Sequence, residues 1–155
     1  MSKPSERLRE LGIVLPPVSK PVGAYVPIVR HGDLLFLSGQ IPLQEGRVAF
    51  SGRVGFERTL DDAQKAARIC AITAIAIAAD AAGGIDNIAR VVKVVVYVAS
   101  HEGFNDQHKV ANGASELLVE IFGESGKHAR AAIGTAELPL GATVEVDVTF
   151  AVGNA

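Results

Sequence analysis

The chain has 155 residues, 48% hydrophobic and 21% charged, with a net charge of −2. That composition excludes a disordered chain and gives one core-bearing domain rather than two. No basic stripe is visible, which argues against a nucleic-acid binder held by phosphate contacts. The one cysteine, Cys70, cannot form an internal disulfide, and that suits a reducing compartment. Residues Met1 to Arg7 lack the apolar core of a signal peptide. The longest apolar stretch, Ile69 to Ala82, is too short to span a bilayer, so a cytoplasmic protein is expected. His31, His101, His108 and His128 are scattered without ligand spacing, and no metal site is expected.

Pro4 and Ser5 start a short helix through Leu11, and Gly12 ends it. Three prolines then keep Val14 to Pro21 extended. Residues 1–22 are read as an arm packed on the body, and 23–155 as the domain proper. Ala24 to Val29 and Leu34 to Ser38 form two strands joined by a loop at Arg30-His31-Gly32-Asp33. Glu45-Gly46-Arg47 turns the chain, and Val48 to Phe50 makes a short edge strand. Thr59 caps a helix carrying Asp61 and Asp62 in its first turn, where the helix dipole favours acids. It runs to about Ala82 and stops at Gly83-Gly84. Its faces are small and apolar, so it is buried against a sheet, and Cys70 is a core residue.

Val91 to Val98 has the composition of a central strand covered on both faces. A second helix spans Glu102 to Phe122, with Phe104, Ala111, Ala114, Leu118, Ile121 and Phe122 at helical spacing. His128 to Glu137 and Thr143 to Phe150 read as strands on either side of a Leu138-Pro139-Leu140-Gly141 turn. This order predicts an α+β fold, two helices on one face of a mixed sheet. Nothing in the chain covers the other apolar face, so an oligomer is implied.

The closing hairpin carries the chemistry. Successive strand residues face opposite ways, so Arg130 shares its face with Ala132, Gly134 and Ala136, and Glu145 shares its face with Asp147 and Thr149. Two readings stay open: an ion pair on a polar hairpin face, or the two ends of a pocket. Simple antiparallel pairing about Pro139-Leu140 puts Arg130 opposite residue 149, with Glu145 on the order of 13 Å away. That gap suits a small ligand and a water better than a salt bridge.

Gly23-Ala24-Tyr25, Leu37-Ser38-Gly39-Gln40-Ile41-Pro42, and Ala129-Arg130-Ala131-Ala132 with Leu138-Pro139 and Val144-Glu145-Val146-Asp147 together resemble the RidA/YjgF family. The resemblance covers Val22 to Ala151, in order, and is to the branch with a longer N-terminal arm. It implies a chorismate-mutase-like fold and a homotrimer whose sheets form a central barrel, with sites in clefts between subunits. It also implies hydrolytic deamination of enamine and imine intermediates (2-aminoacrylate and 2-iminopropionate) to a 2-keto acid and ammonia, without a cofactor. Arg130 lies at the family's carboxylate-binding position, where a planar fork gives a two-point grip. Glu145 matches the acid that positions water. Tyr25 matches a ring over the ligand, Ser38 a small polar neighbour, and backbone groups near Ala132 complete the cradle.

The sequence also departs from the family pattern. Ala132 stands where several members have Cys, which removes thiol chemistry there. The loop from Leu43 to Phe56 is not the usual Asp-Pro-x-Thr-Gly type. His128 shares the Arg130 face, either as a donor or acid or as polar surface. Two alternatives differ in class. One is RNA cleavage with His128 and Arg130 as base and phosphate group, which the net charge and sparse aromatics disfavour. The other is a non-catalytic trimer that binds small carboxylates.

Overall fold

The structure, a computed structural model, describes residues 2–20 and 23–153. The expected boundary between arm and domain falls between Val22, which lies outside the described residues, and Gly23. The first helix, α1, spans Pro4–Glu10 and is tied to the body at two points. Asp86 accepts from the Ser5 backbone N–H at 2.9 Å and from the Ser5 hydroxyl at 2.7 Å. Arg7 Nε donates to the Glu120 carbonyl at 3.0 Å.

Among the described residues seven strands follow: β1 (Ile28–His31), β2 (Leu34–Leu37), β3 (Leu43–Gln44), β4 (Arg47–Val48), β5 (Ile88–Ala99), β6 (Ala129–Thr135) and β7 (Val144–Val152). Five of them form a mixed sheet in the order β1-β2-β7-β5-β6, while β3 and β4 pair separately. Within this sheet, among the described residues, only β5 and β6 run parallel. Helices α2 (Leu60–Ala82) and α3 (Gln107–Phe122) supply the second layer.

Helix α2 keeps its predicted bounds because both ends are written locally. Thr59 Oγ1 accepts from Asp62 N at 3.1 Å and Asp62 returns a bond to Thr59 N at 3.2 Å, satisfying two donors that a helix start leaves unpaired. Gly83 closes the helix at φ 75°, a conformation that costs glycine little. The buried alanines of α2 let neighbours come close. Helix α3 comes close at Gly113, where an added Cβ would lie 2.2 Å from the Gln64 carbonyl oxygen. Cys70 is fully buried beneath β7, and burial pushes its thiol well above the ordinary range.

Several sequence expectations shift. The first strand begins at Ile28 rather than Ala24, because Gly23 to Tyr25 forms a bend. The short edge strand is Arg47–Val48 rather than Val48 to Phe50, set by a turn at Glu45 and Gly46, both with positive φ. Helix α3 starts at Gln107 rather than Glu102, since His101 to Asp106 is spent on a tight turn closed by a Phe104 N–His101 O bond. The central strand β5 is covered by helices on one face only, with Lys93, Val95 and Tyr97 on the other.

The largest correction is the closing hairpin. β6 and β7 are not paired; β5 lies between them. Helix α3 returns the chain along β5, so β6 joins β5 in parallel, the usual result of a crossover connection. Residues 136–143 then pass over the end of β5, where Ser100 N bonds Thr135 O and Ala99 N bonds Thr143 O, and deliver β7 to the opposite side.

Candidate functional site

This topology separates the two charged residues. Arg130 is in register with Val94 and, through it, with Val148, both fully buried under the helices. Residues in register share a face, so Arg130 and Ala132 lie on the helix side of the sheet. Glu145 is in register with Tyr97 on the opposite face. Two strand spacings and three residues put their backbones about 14 Å apart. Neither an ion pair nor one small pocket within a single chain joins them.

Arg130 is built into the β6–α3 junction. Its Nη1 donates to Asn112 Oδ1 at 2.9 Å and to Ser115 Oγ at 3.2 Å, and its Nη2 donates to the His108 carbonyl at 3.2 Å. A guanidinium has five N–H groups. Three are engaged, so two remain for a ligand on a side chain that is already held in place. Residues 108, 112 and 115 recur at helical spacing, which is why one face of α3 meets one side chain. That spacing was the signal available for Asn112 and Ser115, neither of which stood out in the sequence.

His128 is not polar surface. It is half-buried, its Nδ1 lies 2.6 Å from the Gly126 carbonyl, and its Nε2 lies 2.9 Å from Ser115 Oγ. A carbonyl only accepts, so Nδ1 carries the proton and Nε2 accepts from the Ser115 hydroxyl. Burial, offset by the Gly126 bond and reinforced by the Arg130 charge, holds the imidazole below its ordinary pKa of 6.5.

The second cluster lies at the other flank, around the end of β2. Ser38 Oγ donates to the Val26 carbonyl at 2.7 Å, and Ser38 N bonds Pro27 O at 2.9 Å. The bend carrying Tyr25 is thereby pinned beside Ser38, with Tyr25 59% exposed. Gly39 sits against Glu145: an added Cβ would stand 2.7 Å from Oε1. Gln40 pairs with Val146 through two backbone bonds, fixing this loop to β7. Burial, and then the nearby Asp147 charge, raises the Glu145 carboxyl above its ordinary 4.5, and burial raises Asp147 above 3.8. Among the described residues neither acid has a salt-bridge partner. Ser38 and Glu145 thus stand together at this flank with Tyr25 beside them, while Arg130 and Ala132 stand at the other.

The face that carries Glu145 also carries exposed Val29, Phe36 and Ile133, beside half-buried Val95, Tyr97 and Thr149. No helix of the described chain is long and apolar enough to cross a membrane.

Residues 5–151 match the model of a family described as "YjgF/chorismate_mutase-like, putative endoribonuclease". Protein TCP17 of Trypanosoma cruzi is 43% identical over 148 residues, 95% of this chain and 92% of its own. The crystal structure of Atu1372 from Agrobacterium tumefaciens superposes with a TM-score of 0.88 at 42% identity, covering 96% of this chain and 91% of its own. A protein of Dermatophagoides farinae named 2-iminobutanoate/2-iminopropanoate deaminase is 30% identical over 135 residues, 87% of this chain and 91% of its own.

Proposed function

Because the chain belongs to the YjgF/RidA family, we propose that it hydrolyses 2-imino acids and their enamine tautomers to 2-keto acids and ammonia. The observation that carries this reading is Arg130. Its guanidinium is fixed by three bonds to α3 and keeps two donors for a carboxylate. The deaminase name of the Dermatophagoides relative supports the same reaction class.

One chain supplies only half of this site at each flank. We assign the remainder to a second copy: Arg130 and the backbone near Ala132 grip the substrate carboxylate, while the neighbour's flank brings Tyr25, Ser38 and Glu145. Tyr25 covers the ligand, Ser38 borders it, and Glu145 holds the attacking water. A carboxylate whose pKa is raised by burial is a better proton acceptor than a free one at the same pH. A homotrimer with its sheets turned inward covers the apolar face at Val29, Phe36 and Ile133. No cofactor enters the chemistry: water adds to the imine carbon, and the carbinolamine expels ammonia.

The test is ammonia release from freshly generated 2-iminopropionate, with sedimentation to report assembly. Wild type should accelerate release. Arg130→Ala should lower turnover at least about 100-fold and lose pyruvate binding, since two charge-assisted hydrogen bonds disappear. Glu145→Gln should bind pyruvate but lose turnover. A wild type that leaves the rate unchanged sinks the proposal, and pyruvate binding without turnover in both proteins leaves a carboxylate binder.

A further inference from the structure

The contacts of Ser115 and His128 go beyond holding Arg130. Ser115 Oγ lies 2.9 Å from His128 Nε2, and His128 Nδ1 lies 2.6 Å from Gly126 O. This is a nucleophile, a base with its tautomer fixed, and an orienting acceptor, in hydrogen-bond contact. Arg130 Nη1 donates to the same hydroxyl at 3.2 Å, which makes the alcohol more acidic and puts a cation beside any oxyanion formed there. Burial keeps the imidazole neutral near pH 7, the form a general base requires. Ser115 is half-buried and lines an open depression on α3 with Glu116, Val119 and Glu120.

We infer that Ser115 and His128 form a nucleophilic pair that hydrolyses small, uncharged carboxylic esters, a second activity that shares Arg130 with the proposed imine hydrolysis. The substrate class follows from the lining. Glu116 repels an anionic acyl group, Glu120 is paired with Arg68 at 3.4 Å, and Val119, 37% exposed, offers a short apolar wall.

In the first step Ser115 Oγ adds to the ester carbonyl carbon while its proton passes to His128 Nε2. The carbonyl electron pair moves to oxygen, opposite the Arg130 guanidinium. Collapse restores the C=O bond and breaks the ester C–O bond. His128 returns the proton to the departing alkoxide, leaving an alcohol and acyl-Ser115. Water then gives a proton to His128 and adds to the acyl carbon. Ser115 Oγ leaves, takes that proton back, and a carboxylic acid is released.

The experiment treats the full chain with p-nitrophenyl butyrate, and separately with a fluorophosphonate followed by peptide mass spectrometry. Wild type should release p-nitrophenol above the buffer rate, and the phosphonyl adduct should map to Ser115. Ser115→Ala and His128→Gln should each lower kcat/KM at least about 100-fold, the scale of general-base assistance. Circular dichroism should show unchanged folding, and an unfolded Ser115→Ala leaves the adduct map and His128→Gln to decide. An adduct absent from Ser115, a wild type no faster than buffer, or either folded variant working at the wild-type rate would overturn the inference. None of these readouts uses an imine, so failure here leaves the deaminase proposal standing, and the reverse holds too.

Discussion

The flank built on β6 and α3 differs from the flank built on β2 and β7 in how each treats its charge. Arg130 is cross-braced by a side-chain amide, a hydroxyl and a helix carbonyl. Glu145 is pressed against a glycine and left beside another acid. The first arrangement orders a cation in advance of any ligand. The second raises the free energy of an anion, which sharpens its demand for a proton or a partner. A group that binds is best held rigid, and a group that exchanges protons is best left poised.

The strongest way to break this contrast acts through the brace. Gly113→Ala would drive a Cβ to 2.2 Å from the Gln64 carbonyl, a backbone atom that cannot swing aside. Helix α3 must shift, taking Asn112 and Ser115 from Arg130. We expect a loss of about 1–3 kcal/mol in urea unfolding, with weakened pyruvate affinity. Wild-type stability with intact affinity would mean that α3 is not the brace.

Gly39→Ala tests the other flank more gently. The clash falls on the free end of the Glu145 side chain, which can rotate, so stability should change by less than about 1 kcal/mol. Turnover should fall by about 10-fold with pyruvate binding unchanged, on the order of 1.4 kcal/mol of misplaced catalysis. Unchanged turnover would show that Glu145 needs no fixed position.

The smallest effect is on stability against pH. Glu145 and Asp147 have folded pKa values above their ordinary 4.5 and 3.8. The folded state therefore binds protons more tightly than the unfolded chain. Their contribution is fully present below those ordinary values and is lost as pH rises through the raised ones. Asp147→Asn should accordingly raise Tm at pH 7 by a few degrees at most, because half-exposed carboxylates are screened, and the gain should vanish below about pH 4. A gain that persists in acid would point to packing rather than charge.

How legible the fold was depended on how local its signals were. Helix α2 carries its own punctuation, Thr59 and Asp62 at one end and Gly83 at the other, so its bounds were readable. Strand β5 was readable from its valine-rich run, Val91 to Val98, interrupted only by Lys93 and Tyr97. The pairing of β6 with β7 was not, because a Leu-Pro-Leu-Gly turn between two strand-like runs gives the same pattern whether the strands touch or a third lies between them. The crossover through α3 places β6 beside β5, which rules out a hairpin within Lys127 to Ala151. The site was legible as residue types and not as geometry. Arg130, Glu145, Tyr25 and Ser38 could be singled out by residue type, yet the side of the sheet each occupies depends on strand order. Ser115 and Asn112 carried no signal beyond their helical spacing, since a helical serine acquires meaning from the strand opposite.

The position of β7 has one more consequence, in the timing of folding. It is the last strand of the sheet in chain order, yet it sits third of five, between β2 and β5. Until it is made, the β1–β2 hairpin and the β5–α3–β6 unit share no strand pairing. A chain emerging from the ribosome holds two sheet fragments with open edges that only residues 144–152 can join. Closure therefore depends on contacts distant in sequence, which slows it and leaves those edges open to other chains meanwhile. Lesions in the final strand should appear first as aggregation during synthesis rather than as loss of heat stability in protein already folded.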